Sequence, residues 1–393
     1  MLLHKYARNL IFVLIFLYSA INCYFERGSI GTQVLLLLIL AISFYYLLKS
    51  IVIKNNYFYY SWTIFLLLNI VGFILNADFT SSIFVNQLKG VLICSIVFYP
   101  VYYFSRMGII KTDHFIRYVI AMIPFLIYQF YRTKQAYALL SIEHFTNNEG
   151  YLFASLVPFI FISIKKNWFS FLLIIIIGYF TVQSAKRGAL LIYILSLIIY
   201  VPHIISNQLL SANKGIIKKI FIFLFTVLGL YCFYYFYQNN EYLLHRIDII
   251  NKTGGSGREI IYTGILKYWT NSDNFINYFF GFGFAGTVLV LGTWAHNDWL
   301  QILFDYGLLG LFIYFNLYIS LLYIYFVEMK HDEENKYLYI SLFVSCLLAS
   351  FYSMWFASAT SYIQSMLLGY LTGYIVKDVY VITDSKQKYS IYK

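Results

Sequence analysis

Unbroken apolar runs are the strongest limit on what this chain can fold into. Positions 34–40 and 172–177 are apolar without exception, so they offer neither the alternating faces of a half-buried strand nor the single stripe of a surface helix. A transmembrane β-barrel requires that alternation and is excluded with it. What is left is helices covered on every face, by protein or by lipid. Composition decides between the two: 61% of the 393 residues are hydrophobic, 22% aromatic and 11% charged, with a mean hydropathy of +0.70. One water-soluble domain cannot enclose that much apolar surface, whereas lipid solvates spans of about 20 residues directly. The sequence predicts an all-α polytopic membrane protein.

Charged and Gly/Asn-rich breaks divide the chain into twelve candidate transmembrane helices, at 10–24, 32–48, 57–76, 84–104, 115–131, 150–164, 168–183, 189–205, 216–237, 299–327, 337–350 and 355–376. Nine occupy 1–237, a large outer-face loop fills 238–296, and the last three with a short cytoplasmic tail make up 297–393. Several are shorter than about 20 residues and need flanking Tyr, Trp and Lys side chains as interfacial anchors. His4, Lys5 and Arg8 ahead of the first run resemble a secretory signal, but no A-x-A pattern follows, so that helix is expected to be retained. The loop is long for a connection between packed elements, and its amphipathic run from Glu259 to Trp269 predicts two short surface helices.

The net charge of +11, from 28 Lys and Arg against 17 Asp and Glu, would raise nucleic acid as a partner of a soluble domain. Placing the N-terminus inside puts eighteen of those cations on the cytoplasmic face with seven of the acids, an excess equal to the whole +11. The positive-inside rule accounts for the charge, and no nucleic acid is implied. Cys23, Cys94, Cys232 and Cys346 lie singly in apolar runs, which supports neither a disulfide framework nor a metal cluster.

Against that bias, Ser184-Ala185-Lys186-Arg187-Gly188 places two cations at the outer mouth between the seventh and eighth spans. Such cations need a partner such as a carboxylate or phosphate; the plainer reading is a snorkelling anchor. Arg258 follows Gly254-Gly255-Ser256-Gly257 and opens the amphipathic run, where backbone N–H groups and a helix dipole also favour phosphate; its plainer reading is a surface ion pair with Glu259 or Asp248. His296, in Ala295-His296-Asn297-Asp298-Trp299-Leu300-Gln301, sits at the outer end of the tenth span and could bond a hydroxyl or a phosphate oxygen, or cap a helix. Asp298 or Glu259 could be the base instead. Asp305 and Lys89 lie deeper in their spans as a candidate intramembrane charge site. Motifs for nucleotide hydrolysis or a carboxylate-bound metal are absent, so no metal site and no cofactor is expected.

Three stretches together resemble the O-antigen polymerase and O-antigen ligase superfamily of bacterial surface polysaccharide assembly. They are Ser184-Ala185-Lys186-Arg187-Gly188; Gly257-Arg258 with Trp269 and Gly281-Phe282-Gly283; and His296-Asn297-Asp298-Trp299-Leu300-Gln301 with Asp305-Tyr306-Gly307-Leu308-Leu309-Gly310-Leu311. The resemblance is carried by 184–311 and elsewhere only by the span count. It implies a multi-helix lipid-linked transferase fold of the GT-C type in the bacterial inner membrane, with both termini cytoplasmic. The activity it implies is inverting, metal-independent glycosyl transfer from glycans on undecaprenyl diphosphate. In that scheme Arg187 and Arg258 act with His296 in catalysis, Lys186, Arg187 and Arg258 bind the diphosphate, and Asn297, Asp298 and Glu259 serve the acceptor or support the site. Implied partners are a lipid-linked oligosaccharide donor and acceptor, membrane lipid and a chain-length regulator protein. A modest, nearly neutral outer loop favours polymerase over ligase, since a phosphate-rich core acceptor calls for a more cationic surface. A transporter of lipid-linked oligosaccharide is the alternative of another class, and it should show internal repeats, of which the sequence has no convincing sign.

Overall fold

The computed structural model describes residues 2–24, 29–53, 55–76, 81–138, 147–161, 169–209, 258–330, 332–358 and 361–390, with isolated positions between 227 and 248. It is all-helical, with no strand among the described residues. Nine helices come first: α1 Leu2–Tyr24, α2 Ile30–Ile51, α3 Tyr57–Asn76, α4 Ser82–Ile96, α5 Phe98–Arg106, α6 Thr112–Ala138, α7 Glu149–Phe161, α8 Phe169–Gln183 and α9 Arg187–Leu209. Three short ones follow, α10 Arg258–Thr270, α11 Phe275–Phe280 and α12 Gly286–Leu291. The chain ends with α13 Asp298–Tyr323, a π turn Ile324–Glu328, α14 Glu333–Tyr352 and α15 Tyr362–Ser390.

Eleven of the twelve apolar segments overlap these helices, the last only from Tyr362 onward because 353–358 form a turn, and the segment 216–237 lies almost wholly outside the described residues. Five helices are long and apolar enough to cross a membrane: Leu3–Tyr24, Ile30–Ile51, Tyr57–Asn76, Ser82–Arg106 and Asp298–Glu328. Others are shorter, such as α7 with 13 residues and α8 with 15. The expected pair of outer-loop helices is three, because Asn274 caps a further turn: its side chain accepts from the Ile276 N–H and starts α11.

The bundle core is aromatic, and its polar tips are paired. Trp62, Tyr59, Tyr99, Tyr102, Tyr314 and Trp355 are almost completely buried. Trp62 Nε1 donates to the Ser95 carbonyl, Tyr99 to Thr63 and Tyr102 to Asn55. Pairing of this kind is what allows tyrosine to fill an interior. α1 packs against α2 and α6, α5 along α15, α9 along α14, and α3 along α13.

One irregularity positions the site. Gly307 breaks α13 with φ 64°, ψ −157°, a conformation that only glycine adopts without strain. The kink frees carbonyls of the preceding turn, and the outer loop caps two of them: Phe282 N–H donates to the Phe304 carbonyl at 2.8 Å and Gly283 N–H to that of Asp305 at 3.0 Å. A side chain on Gly281 would strike the Asp305 backbone, and one on Gly307 the Phe279 backbone. The two glycine stretches of the family-like motif are therefore the two sides of one backbone contact.

Candidate functional site

The first cationic element is a rigid turn. Ser184 is buried; its hydroxyl donates to the Thr181 carbonyl at 2.6 Å and accepts from the Lys186 N–H at 3.3 Å, while its carbonyl accepts from Asn147. Ala185 adopts φ 53°, in the left-handed region. The following helix starts at Arg187, so Lys186 immediately precedes it and Arg187 is its first residue. Gly188 leaves room for two tyrosines: a Cβ there would overlap the Tyr151 hydroxyl and crowd Tyr352.

Tyr352, at the end of α14, joins the second cation to the first. Its carbonyl accepts from Arg258 Nη1 at 2.8 Å and from the Tyr151 hydroxyl at 3.1 Å. Arg258 opens α10, as the amphipathic pattern predicts, and lies close enough to Arg187 for the two guanidiniums to repel. Glu259 and the two tyrosines partly offset that repulsion at Arg187. Lys186, Arg187, Arg258 and Glu259, from two distant stretches of sequence, thus meet at one mouth.

His296 faces the same cations. Its side chain is open to solvent, yet its pKa is lowered from 6.5 by surrounding protein, and further by Arg258 and Lys186. Desolvation first, and then the adjacent positive charges, disfavour the imidazolium and so favour the neutral form that a proton acceptor needs. Like Ala185, it has a positive φ, 52°; these are two of the three non-glycine residues so placed among those described. Left-handed backbone at bulky residues is uncommon and collects at functional sites.

Asn297 and Asp298 support this mouth from behind. Asn297 is the N-cap of α13, accepting from Leu300 N–H. Asp298 is fully buried and turned inward: its carboxyl group accepts from the Trp355 and Phe356 N–H groups and from the Tyr314 hydroxyl at 2.7 Å. These bonds tie the start of α13 to the turn after Tyr352. Asp298 is therefore a clamp with no carboxyl oxygen at the mouth, which leaves His296 and the exposed Glu259 as the groups that can take a proton there. Asp305 is likewise internal, held by Gln301 Nε2 at 2.8 Å and Thr287 N–H, while Gln301 Oε1 accepts from Ala295 N–H just ahead of His296. Lys89 lies on α4, partly buried, beside Gly90, whose backbone packs against the Ala357 carbonyl in the turn after Tyr352.

Beside the mouth lies a narrow recess of about 310 Å³ counting its opening, walled by Tyr151, Ser155, Ser353, Ser361 and Gln364, with room for water-sized molecules. Among the described residues, no group of three or more His, Cys, Asp or Glu side chains is placed to hold a metal ion. Sequence reasoning missed Tyr151 and Tyr352, the second of which acts through its main chain. No protein-family model matches the chain, and no curated protein matches it.

Proposed function

We propose that this chain is a glycosyltransferase of the O-antigen polymerase type, joining undecaprenyl-diphosphate-linked oligosaccharide repeat units at the outer face of the bacterial inner membrane. One observation carries the reading: three cations and a histidine, drawn from three stretches of sequence that span 110 positions from Lys186 to His296, converge on one mouth. A diphosphate leaving group needs fixed positive charge, and Arg187 and Arg258 supply two guanidinium forks with Lys186 beside them. An acceptor sugar hydroxyl attacks the anomeric carbon of the donor as its bond to the diphosphate oxygen breaks, with inversion. His296 takes the hydroxyl proton, and the diphosphate departs with the bonding electrons, stabilised by the arginines. A leaving group this good needs no acid partner, in keeping with the lack of a carboxylate pair at the mouth among the described residues. In this reading the chain has twelve membrane helices in a GT-C-type arrangement, both termini are cytoplasmic, and a chain-length regulator works alongside it.

The test is a gel of surface glycan from a strain lacking this protein, complemented with the wild-type chain, Arg258→Ala or Arg258→Lys. A polymerase predicts single repeat units without a ladder in the deletion strain, restoration by the wild type, none by Ala at normal protein level, and partial restoration by Lys, which keeps the charge but loses the fork. Long chains retained on the lipid carrier with an unmodified core would mean ligase. Repeat units trapped on the cytoplasmic face would mean a transporter. Full activity of Arg258→Lys would overturn the bidentate clamp.

A further inference from the structure

The outer loop carries an apolar face of its own. On α11, Phe275, Ile276 and Phe280 are 72%, 60% and 59% exposed, and Phe279 is exposed as well. In water such a cluster would be a liability on so short a helix. Its height along α13 identifies what covers it.

Exposed apolar side chains on the last long span run from Leu308 and Leu309 through Phe312, Phe315 and Ile319 to Phe326 and Val327. From Leu308 to Val327 is about 20 residues, or about 30 Å of helix, the thickness of a bilayer's hydrocarbon core. Glu328 and Lys330 follow at once at the lower end. Above Leu308 the pattern stops: Gln301 to Gly307 are all buried, under α10, α11 and α12. The lipid-facing stripe thus begins at the Gly307 kink, and the backbone packed against that kink is Phe279–Phe280. The exposed phenylalanines of α11 continue the stripe at its outer edge. Asp298 lies nine residues above, about 13 Å away.

We infer that α11 is an interfacial membrane helix, its Phe275, Ile276, Phe279 and Phe280 side chains seated among the acyl chains of the outer leaflet. The loop 258–297 is then a lipid-anchored collar that carries the cationic mouth above the hydrocarbon boundary. Short helices with aromatic residues on one side bind this boundary by burying apolar area in it. The collar holds whatever reaction the mouth performs.

Ile276→Cys, Phe280→Cys and Asp273→Cys, each spin-labelled in the full chain in lipid nanodiscs, test this by collision with oxygen, which concentrates in hydrocarbon, and with a nickel chelate, which stays in water. The unsubstituted chain serves as the labelling blank. The expected result is oxygen-favoured relaxation at 276 and 280, with nickel collisions several-fold rarer than at 273. Nickel collisions at 276 and 280 as frequent as at 273 would place α11 in water and overturn the inference. Shielding of both positions from both reagents would overturn it too, because protein rather than lipid would then cover the face. All three substitutions are at exposed positions, and two report on α11, so one poorly folded variant does not decide the outcome.

Discussion

His296 is the residue whose chemistry depends most on its neighbours. Burial and the charges of Arg258 and Lys186 both disfavour the imidazolium, so its proton is lost at a pH below the ordinary 6.5. If neutral imidazole accepts the sugar proton, the acid limb of the rate profile lies below that value. Lys186→Ala removes one repelling charge and should move the limb to higher pH, by a fraction of a unit for a partly solvated pair. A pH–rate profile of glycan elongation in proteoliposomes checks this, and an unmoved limb would separate His296 from the rate-limiting proton transfer. The residues of this site were readable from the sequence to different depths. Lys186, Arg187 and Arg258 are conspicuous in the sequence because the positive-inside rule, with the N-terminus inside, predicts few cations on the outer side. Asp298 was readable as present but not as buried, since a carboxylate beside His296 looks the same in sequence whether it faces the mouth or the core. Tyr151 was hidden among 41 tyrosines, and the Tyr352 contribution is a carbonyl that any residue carries.

At the scale of elements, the outer half of α13 and the collar are a single unit. Tyr268, Phe282 and Phe304 pack ring to ring between them, with Phe282 and Phe304 stacked at 4.4 Å. Ile265 and Ala295 fill the space behind them. Gln301 ties α13 to α12 itself through Thr287 and to the loop after it through Ala295. The unit depends on the kink. Gly307→Ala forces alanine into a positive-φ, extended-ψ conformation that is essentially reserved for glycine, at a cost of about 1–3 kcal/mol, and drives its methyl group into the Phe279 backbone. The expected outcome is a lower melting temperature in detergent, with activity falling further than stability because Arg258 and His296 both ride on the displaced collar. A thermal-shift assay beside a donor turnover assay measures the two losses, and a variant with wild-type values in both would show the kink to be dispensable. Sequence periodicity could not have revealed it. A glycine within a continuous apolar run reads as a tolerated helix residue, and only the loop docked against it shows why it bends. The same limit hid the break between α4 and α5 at Val97, which lies inside one apolar segment.

At the scale of the whole molecule, contacts sort the described charges to two ends. His4 bonds Tyr46 one turn before Lys49, Arg8 donates to the Ile109 carbonyl at 2.6 Å, and Arg106 reaches Asn55. These bonds gather Lys5, Arg8, Lys49, Arg106 and Lys111 at one end. At the other end Arg132 bonds the Tyr24 carbonyl, so the far ends of α1 and α6 meet there. The mouth belongs to this second end, since Asn147 donates to both the Ser184 and the Phe130 carbonyls, and Glu259 accompanies its cations. Apolar helices are indifferent to which end faces the cytoplasm, and the charge imbalance sets the direction: the end with excess Lys and Arg stays inside. Under the proposed function, that rule puts the mouth on the outer side, where a lipid-linked donor would meet it, and the orientation can be read on intact cells. Cysteine at Asp273 should react with a membrane-impermeant maleimide from outside, whereas cysteine at Lys111 should react only after permeabilisation. Both positions are exposed, so reactivity reports side rather than burial. The reverse pattern would put the cationic mouth in the cytoplasm, where soluble nucleotide-linked donors rather than flipped lipid-linked ones would meet it, and the polymerase reading would fall with the orientation.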